Sequence, residues 1–367
     1  VTSSPPGGIA VILGTRPEIV KLAGIIRGLG DRARVIHTGQ HYDAELSDVF
    51  FSQFGLHPPV EVLDVGGRSR GHQIGEATAR LDTAFTAHPP EAVVVQGDTN
   101  SALAGGLAAN AGAIPLVHVE AGLRSFDRGM PEEHNRVLVD HVADLCLAPT
   151  EASRGNLLAE GIPDGRIVVT GNTVVEAVLE LLPSPEDRHR LLREHGVAAE
   201  GFVLSTFHRP ENVDDPDTLK AILDSLIALP LPVLIPVHPR LAARVESFGL
   251  TARLEALRPV PPLGYREFLG LFAEAAFAVS DSGGVQEEAS VVKRPVAVVR
   301  RSTERPEVLG TFSTLVVTGP AIADAAREWL GDPAAVHARL SAVASPYGDG
   351  SASRRSAAAI GRLLDAT

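Results

Sequence analysis

A chain of 367 residues is too long for one ordinary core and points to two domains. Apolar residues at 44% with charged residues at 21% describe a globular protein, and a net charge of −12 with no basic block to offset it argues against a nucleic-acid partner. The single cysteine, Cys146, excludes an intrachain disulfide and a Cys-based zinc site, and no apolar run approaches the roughly 20 residues that span a bilayer.

The stretch Val1–Gly8 is rich in Ser, Pro and Gly and lacks a charged segment followed by an apolar one. It reads as a loose leader rather than a signal peptide, which makes a cytoplasmic enzyme the default. From Ile9 onward, short β-branched runs alternate with segments of helical spacing. Strands are expected at Ile9–Leu13, Val35–His37, Ala92–Val95, Leu116–Val119, Leu145–Leu147 and Ile167–Val169. Helices are expected at Glu18–Leu29, Ala44–Phe54, His72–Phe85, Asn100–Asn110, Glu132–His141, Glu151–Glu160 and Val174–Leu182. Leu182–Asp187, with two prolines, breaks the pattern and is read as a linker.

The alternation then restarts. Strands at Phe202–Ser205, Val233–Val237, Phe277–Ser280, Val296–Val299 and Leu315–Val317 are interleaved with helices at Thr218–Leu229, Arg240–Phe248 and Val285–Val291. Helical segments at Ile322–Trp329, Pro333–Val343 and Ser353–Leu364 close the chain. Nearly continuous apolar strands alternating with helices mean parallel sheets covered on both faces. The fold class is therefore α/β, with two doubly wound Rossmann-like domains facing a cleft. The first comprises residues 1–180 plus 351–367 and carries the acids; the second comprises 181–350. In such sheets ligands sit beyond the strand C-termini, so strand-end residues are the site candidates.

The first strand ends in Gly14-Thr-Arg-Pro-Glu-Ile-Val-Lys21. A proline at a helix start, flanked by Arg16 and Lys21, suits an anion such as phosphate. Only Lys21, Lys220 and Lys293 are lysines among 33 basic residues, which draws attention to Lys21. The fingerprint G-x-G-x-x-G is absent, as is the P-loop pattern, so no nicotinamide site is expected. Asp98 follows the strand Ala92–Val95 and is either a helix N-cap or a catalytic acid. Glu120 ends the strand Leu116–Val119, and Pro131-Glu-Glu133 opens a helix twelve residues later. Glu120 and Glu132 form either a general acid/base pair or, for Glu132 and Glu133, mere complements to the helix dipole.

In the second half, His208 and His238 end strands and suit a general acid or a phosphate partner. His37 and His41 are spaced i, i+4 but straddle a strand end and a loop, so no metal is expected. Asp281-Ser-Gly-Gly-Val-Gln-Glu-Glu288 runs from a strand into a helix. Gly283 and Gly284 let backbone approach a diphosphate, with Ser282 as a further donor and Glu288 placed for the ribose hydroxyls. Arg305, in Thr303-Glu-Arg-Pro-Glu307, is another phosphate candidate, and Phe268 is either a base-stacking ring or core.

Taken in order, Gly14-Thr-Arg-Pro-Glu with Lys21, Gln96-Gly-Asp-Thr, His118-Val-Glu-Ala-Gly-Leu-Arg, Pro131-Glu-Glu-His-Asn-Arg, Gly171-Asn-Thr, Asp281-Ser-Gly-Gly-Val-Gln-Glu-Glu, Thr303-Glu-Arg-Pro-Glu and Pro346-Tyr-Gly-Asp-Gly closely resemble the non-hydrolysing UDP-N-acetylglucosamine 2-epimerases, over roughly residues 9 to 365. The resemblance implies a GT-B-like fold, a homodimer, no cofactor, and reversible conversion of UDP-GlcNAc to UDP-ManNAc. It implies anti elimination of UDP to 2-acetamidoglucal, followed by re-addition. Asp98, Glu120 and Glu132 correspond to the catalytic carboxylates and His208 to the histidine beside the diphosphate. Arg16, Lys21, Ser282, Gly283, Gly284, Glu288 and Arg305 correspond to the nucleotide-binding set, with Phe268 near the uracil. Gln40 and His238 match parts of the site through which some members are activated by a second UDP-GlcNAc. The Arg-Gln pair that opens a helix there is replaced where this helix begins Gly71-His72, so weak or absent activation is expected. Val308-Leu-Gly-Thr-Phe312 and Lys293-Arg-Pro295 also depart from the family pattern. A GT-B glycosyltransferase using a UDP-sugar is the alternative reading.

Overall fold

A computed structural model describes residues 7–40, 50–317 and 320–366. Most of the helix expected at Ala44–Phe54, and His41 with it, lies outside the described residues. The chain divides into two compact units, Val1–Ala177 with Tyr347–Thr367, and Val178–Pro346.

The first unit is built on a seven-stranded sheet in the order β3-β2-β1-β4-β5-β6-β7. Its strands are β1 (Gly7–Leu13), β2 (Ala33–His37), β3 (Glu61–Val62), β4 (Pro90–Gln96), β5 (Leu116–Val119), β6 (Leu145–Ala148) and β7 (Ile167–Val169). Neighbouring pairs are parallel, with Ile9 opposite Ala33 and Ala92, and Val95 opposite His118. Alternate residues of the central strands feed two cores, which is why these strands read as unbroken apolar runs. On one face Ile12, Val93 and Val95 pack with Leu81 and Ala104 from the helices Arg70–Ala87 and Asn100–Ala111. On the other, Ile9, Val11 and Val94 pack with Ile19 and Leu22 of the helix Arg16–Leu29 and Ile360 of the C-terminal helix Ala352–Ala366. A Cβ at Gly105 would sit 2.8 Å from Val95 Cγ1, so a glycine there lets its helix lie directly on the sheet.

The second unit holds a six-stranded sheet in the order β10-β9-β8-β11-β12-β13. Its strands are β8 (Val203–Thr206), β9 (Val233–Pro236), β10 (Arg258–Val260), β11 (Phe277–Ser280), β12 (Val296–Val299) and β13 (Ser313–Val316), again parallel. In each unit the strand order reverses once, between β1 and β4 and between β8 and β11. Those two points are where a doubly wound sheet leaves a crevice beyond its strand ends.

Two strands were not expected, β3 and β10. Both are short edge strands whose side chains are largely exposed, so they carry no apolar run. The linker reading of Leu182–Asp187 needs correction, because a helix runs Pro185–Glu194. Ser184 accepts a hydrogen bond from Asp187 N at 3.1 Å, Pro185 occupies the first turn, and Glu186 and Asp187 complement the dipole. What reads as a breaker is a helix start. The helix Tyr265–Glu274 also went unrecognised in the sequence; it places both Tyr265 and Phe268.

Candidate active site

In the first unit, β1 is followed by Gly14, where a Cβ would fall 2.0 Å from Ser101 Oγ and 2.2 Å from Thr38 Oγ1. The turns after β2 and β4 therefore close against it. Arg16 opens the next helix, is exposed, and pairs with no other described residue. Glu18 is buried and accepts from Gly14 N (2.9 Å), Thr15 Oγ1 (2.8 Å) and Thr99 Oγ1 (2.7 Å). Burial outweighs these donors and raises its pKa to about 7.

One helical turn on, Lys21 Nζ lies 2.5 Å from Glu120 Oε1. The ammonium read as a phosphate ligand is thus committed to a carboxylate inside its own unit. Gln96 Nε2 donates to Glu120 Oε2, and Asn172 Nδ2 donates to Oε1 at 3.1 Å. Glu120 itself has φ +67°, a left-handed conformation uncommon outside glycine, and is 7% exposed. A carboxylate set in a strained turn and held by several donors is oriented far more tightly than a surface acid.

Asp98 is not the N-cap of the following helix. Thr99 takes that role, accepting from Ala102 N at 3.0 Å, which releases Asp98 to pair with Arg136 Nη2. Asn135 Nδ2 also donates to the Asp98 carbonyl at 2.8 Å. The helix Pro131–Val142 separates its two first-turn acids completely. Glu132 is exposed, with no hydrogen bond or ion pair to another described residue. Glu133 is buried and accepts from Ser125 N (3.0 Å), Ser125 Oγ (2.9 Å), Phe126 N (2.8 Å) and Arg136 Nη1. It therefore does more than complement the dipole, since it fastens the loop that leads from Glu120. The structure brings Asp98 and Glu120 onto adjoining turns, and Arg136 bridges Asp98 to the start of the helix that bears Glu132.

In the second unit, His208 follows β8. Its Nδ1 lies 3.0 Å from Asp281 Oδ1 and its ring is 43% exposed. His208 N, Arg209 N and Asn212 Nδ2 also donate to the Asp281 carboxylate. Burial alone would raise the Asp281 pKa, but His208 and these donors more than offset it and hold it below the ordinary carboxylate range. The His208 and His238 rings stand 5.9 Å apart, and His238 Nδ1 accepts from Arg240 N at 3.2 Å as cap of the helix Pro239–Ser247.

The two glycines after Ser282 have different reasons to be there. A Cβ at Gly283 would meet Arg305 Nη1 at 2.5 Å and Glu304 Oε1 at 2.9 Å, so it would have to push that buried ion pair aside. A Cβ at Gly284 would find nothing nearer than 3.8 Å, so packing leaves that position open. Ser282 is the N-cap of the helix Gly283–Val292 but makes no side-chain cap bond. Glu288 is buried and accepts from Tyr265 Oη at 2.9 Å. Burial, with the Glu288 charge beside it, pushes the Tyr265 phenol well above its usual range. Phe268 is half-buried, its ring 5.9 Å from Phe272. Arg305 departs from expectation: it is buried, with Nε 2.7 Å from Glu287 Oε1 and Nη1 on Glu304. Two carboxylates already answer its charge, so it braces the glycine turn.

His37, half of the spacing weighed for a metal, is buried, and Nδ1 accepts from Gly39 N at 2.9 Å. Burial lowers its pKa to about 4. Among the described residues no group of three or more His, Cys, Asp and Glu side chains has the arrangement of a metal site. No helix among them is long and apolar enough to cross a membrane.

Two Rossmann-like units, with acids at the strand ends of one and a glycine-opened helix at the switch point of the other, define a protein of the GT-B-like class. The model of the UDP-N-acetylglucosamine 2-epimerase family matches residues 30–361. This chain belongs to that family. It is 41% identical over 321 residues to UDP-N-acetylglucosamine 2-epimerase of Methanocaldococcus jannaschii, covering 84% of this chain and 88% of the other. It is 35% identical over 368 residues to UDP-2,3-diacetamido-2,3-dideoxy-D-glucuronate 2-epimerase of Pseudomonas aeruginosa, covering 97% and 99%. The crystal structure of the M. jannaschii enzyme in complex with UDP-GlcNAc and UDP superimposes with a TM-score of 0.85 at 38% identity, over 98% of this chain and 100% of that one.

Proposed function

We propose that this protein inverts C2 of UDP-GlcNAc, interconverting it with UDP-ManNAc, and does so by elimination and re-addition of UDP. A carboxylate takes the C2 proton as the C1–O bond breaks, leaving 2-acetamidoglucal and UDP. A proton then returns to the opposite face of C2 while the diphosphate oxygen attacks C1. The sequence is redox-neutral and needs no nicotinamide. The C2 proton is weakly acidic, so its removal has to be coupled to a stabilised leaving group.

The observation that carries the reading is Glu120, held in a left-handed turn by Lys21, Gln96 and Asn172 beside the turn of Asp98. Asp98, Glu120 and Glu132 exchange the protons at C2. The helix start at Ser282–Gly284 takes the diphosphate, Glu288 the ribose and Phe268 the base. His208 and Arg16 stabilise the departing UDP, and His238 stands behind His208. Lys21 serves by holding Glu120, and Arg305 by closing the turn at Gly283.

The active form is proposed to be a cytoplasmic homodimer with weak or absent activation by a second UDP-GlcNAc. Exposed Leu107 and Leu138, on two helices packed against each other, favour self-association, which light scattering measures as a doubled mass. The pure protein with UDP-GlcNAc in D2O, without acceptor or NAD, is expected to give UDP-ManNAc carrying deuterium at C2. Unchanged substrate would sink the reading for this sugar, and transfer to an added acceptor would favour a glycosyltransferase. A panel of UDP-sugars that includes 2,3-diacetamido uronates assigns the C3 and C5 substituents.

A further inference from the structure

His118 is an anomaly in its strand. It lies opposite Val95 and Cys146, in the middle of a buried sheet, and is itself 0% exposed. An apolar residue is the expected occupant, because an imidazole buried there costs free energy unless its polar atoms are matched. Both are matched. Nε2 lies 2.8 Å from the Gly97 carbonyl, which can only accept, and Nδ1 lies 2.6 Å from Asp140 Oδ1. Asp140 Oδ2 accepts from Gly122 N at 3.1 Å and pairs with Arg124 Nη1 at 2.7 Å. Arg124 in turn places Nε and Nη2 on Glu160, at 2.7 and 2.6 Å.

The two ends of this string are the turns that present the proposed acids. Gly97 precedes Asp98 and follows Gln96, which donates to Glu120. Gly122 lies two residues after Glu120. All three of Gly97, Glu120 and Gly122 are left-handed, at φ +67°, +67° and +82°. A non-glycine residue in that region costs on the order of 1–3 kcal/mol and persists only where its surroundings over-determine it. We infer that His118, acting with Asp140, is a positioning residue for the C2 chemistry: it straps the turn of Asp98 to the turn of Glu120 from beneath the sheet. This rests on the reading of Asp98 and Glu120 as the proton carriers. The strap is geometric rather than a charge relay. An asparagine at 140 keeps it, because a neutral His118 with its proton on Nε2 still holds Gly97, while the amide donates to Nδ1 and its oxygen keeps Gly122 and Arg124.

The test compares His118→Asn, Asp140→Asn and Asp140→Ala with the parent enzyme. Near-UV circular dichroism establishes folding, calorimetry gives UDP affinity, and deuterium exchange at C2 of UDP-GlcNAc gives turnover per folded molecule. His118→Asn is too short to reach both partners, and kcat is expected to fall about 100-fold, the scale of a small misplacement of catalytic groups. KM for UDP-GlcNAc and affinity for UDP should stay within about threefold, as for a loss confined to the transition state. Asp140→Asn should retain activity within about tenfold of the parent, and Asp140→Ala should fall with His118→Asn. A folded His118→Asn exchanging at the parent rate overturns the inference, as does loss of UDP binding in step with exchange. Should His118→Asn not fold, equal activity of the two Asp140 variants overturns it instead. The parallel variant Glu120→Gln separates the two levels: if it still exchanges C2, the assignment of the acids fails whatever the His118 variants do.

Discussion

Gly284 offers the cleanest way to ask whether the second unit's helix start was built for a ligand. The space around its missing Cβ is open to 3.8 Å, so Gly284→Ala should not disturb the protein. Alanine in the first turn of a helix instead restricts the unfolded chain, and a gain of about 0.4–1 kcal/mol is expected. The methyl would nevertheless stand over the N–H groups proposed to receive the diphosphate. Losing one hydrogen bond to a charged group costs about 1.5–3 kcal/mol. At about 1.4 kcal/mol per decade, UDP affinity should drop about 10- to 150-fold. Gly283→Ala provides the contrast, since its Cβ would displace Arg305 from its carboxylates and should cost about 1–3 kcal/mol of stability. Titration calorimetry of UDP and thermal melts of the two variants decide the matter. If Gly284→Ala gains stability and binds UDP as the parent does, the diphosphate does not sit on this helix and the argument from open space is wrong.

Other consequences follow from the acids. Lys21→Met leaves Glu120 buried without its cation and should cost about 3–5 kcal/mol, read from denaturant midpoints; adding Glu120→Gln should recover part of that loss while C2 exchange stays abolished. Glu132→Gln should abolish C2 exchange with stability unchanged to within about 0.5 kcal/mol, whereas Glu133→Gln should cost about 1–3 kcal/mol by disturbing Ser125, Phe126 and Arg136. For Glu18 the sign is set by a raised carboxyl pKa. The folded protein binds this proton more tightly than the unfolded chain, so the stabilisation is complete below the ordinary value of 4.5 and is lost as pH rises through about 7. It amounts to at most about 3 kcal/mol, and Glu18→Gln should flatten urea stability across that window. An unchanged slope would mean the carboxyl is ionised at little cost.

The legible part of the chain is its centre. β1, β4 and β5 are buried on both faces, so their apolar runs announce themselves, and the residue after each run is a candidate by the strand-end rule. That rule singles out Asp98, two positions past β4, Glu120, directly past β5, and His208, two positions past β8, as candidates without any contact being known. It fails at β3 and β10, where edge strands need no apolar side chains. It also misses the partners of each acid. Lys21 and Glu120 are 99 positions apart, and Asn172 and Glu120 are 52 apart. Periodicity within a segment carries no information about pairings of that length. Only the sheet order, which lines up the ends of β1, β4, β5, β6 and β7, makes them neighbours. The neighbouring acids Glu132 and Glu133 show the same limit. Their order in the sequence is trivial, but a single residue step of about 100° around the helix sends the first to solvent and the second into the protein.

Charge accounting sharpens the chemistry further. Lys21, Arg136 and Arg305 all have carboxylate partners within their own units, so none stands as an uncommitted phosphate ligand. Arg16 does, with no ion pair to another described residue. The histidine completes the set. Asp281, fixed by two backbone N–H groups and Asn212, also pairs with His208 Nδ1 and so fixes the ring that is proposed to stand beside the leaving diphosphate. On the proposed reading, stabilisation of the departing diphosphate is the task of Arg16, His208 and the N–H groups at the Ser282–Gly284 helix start. In that proposal each would make its strongest contact as charge develops on the leaving oxygen, which is where binding energy raises kcat rather than lowering KM.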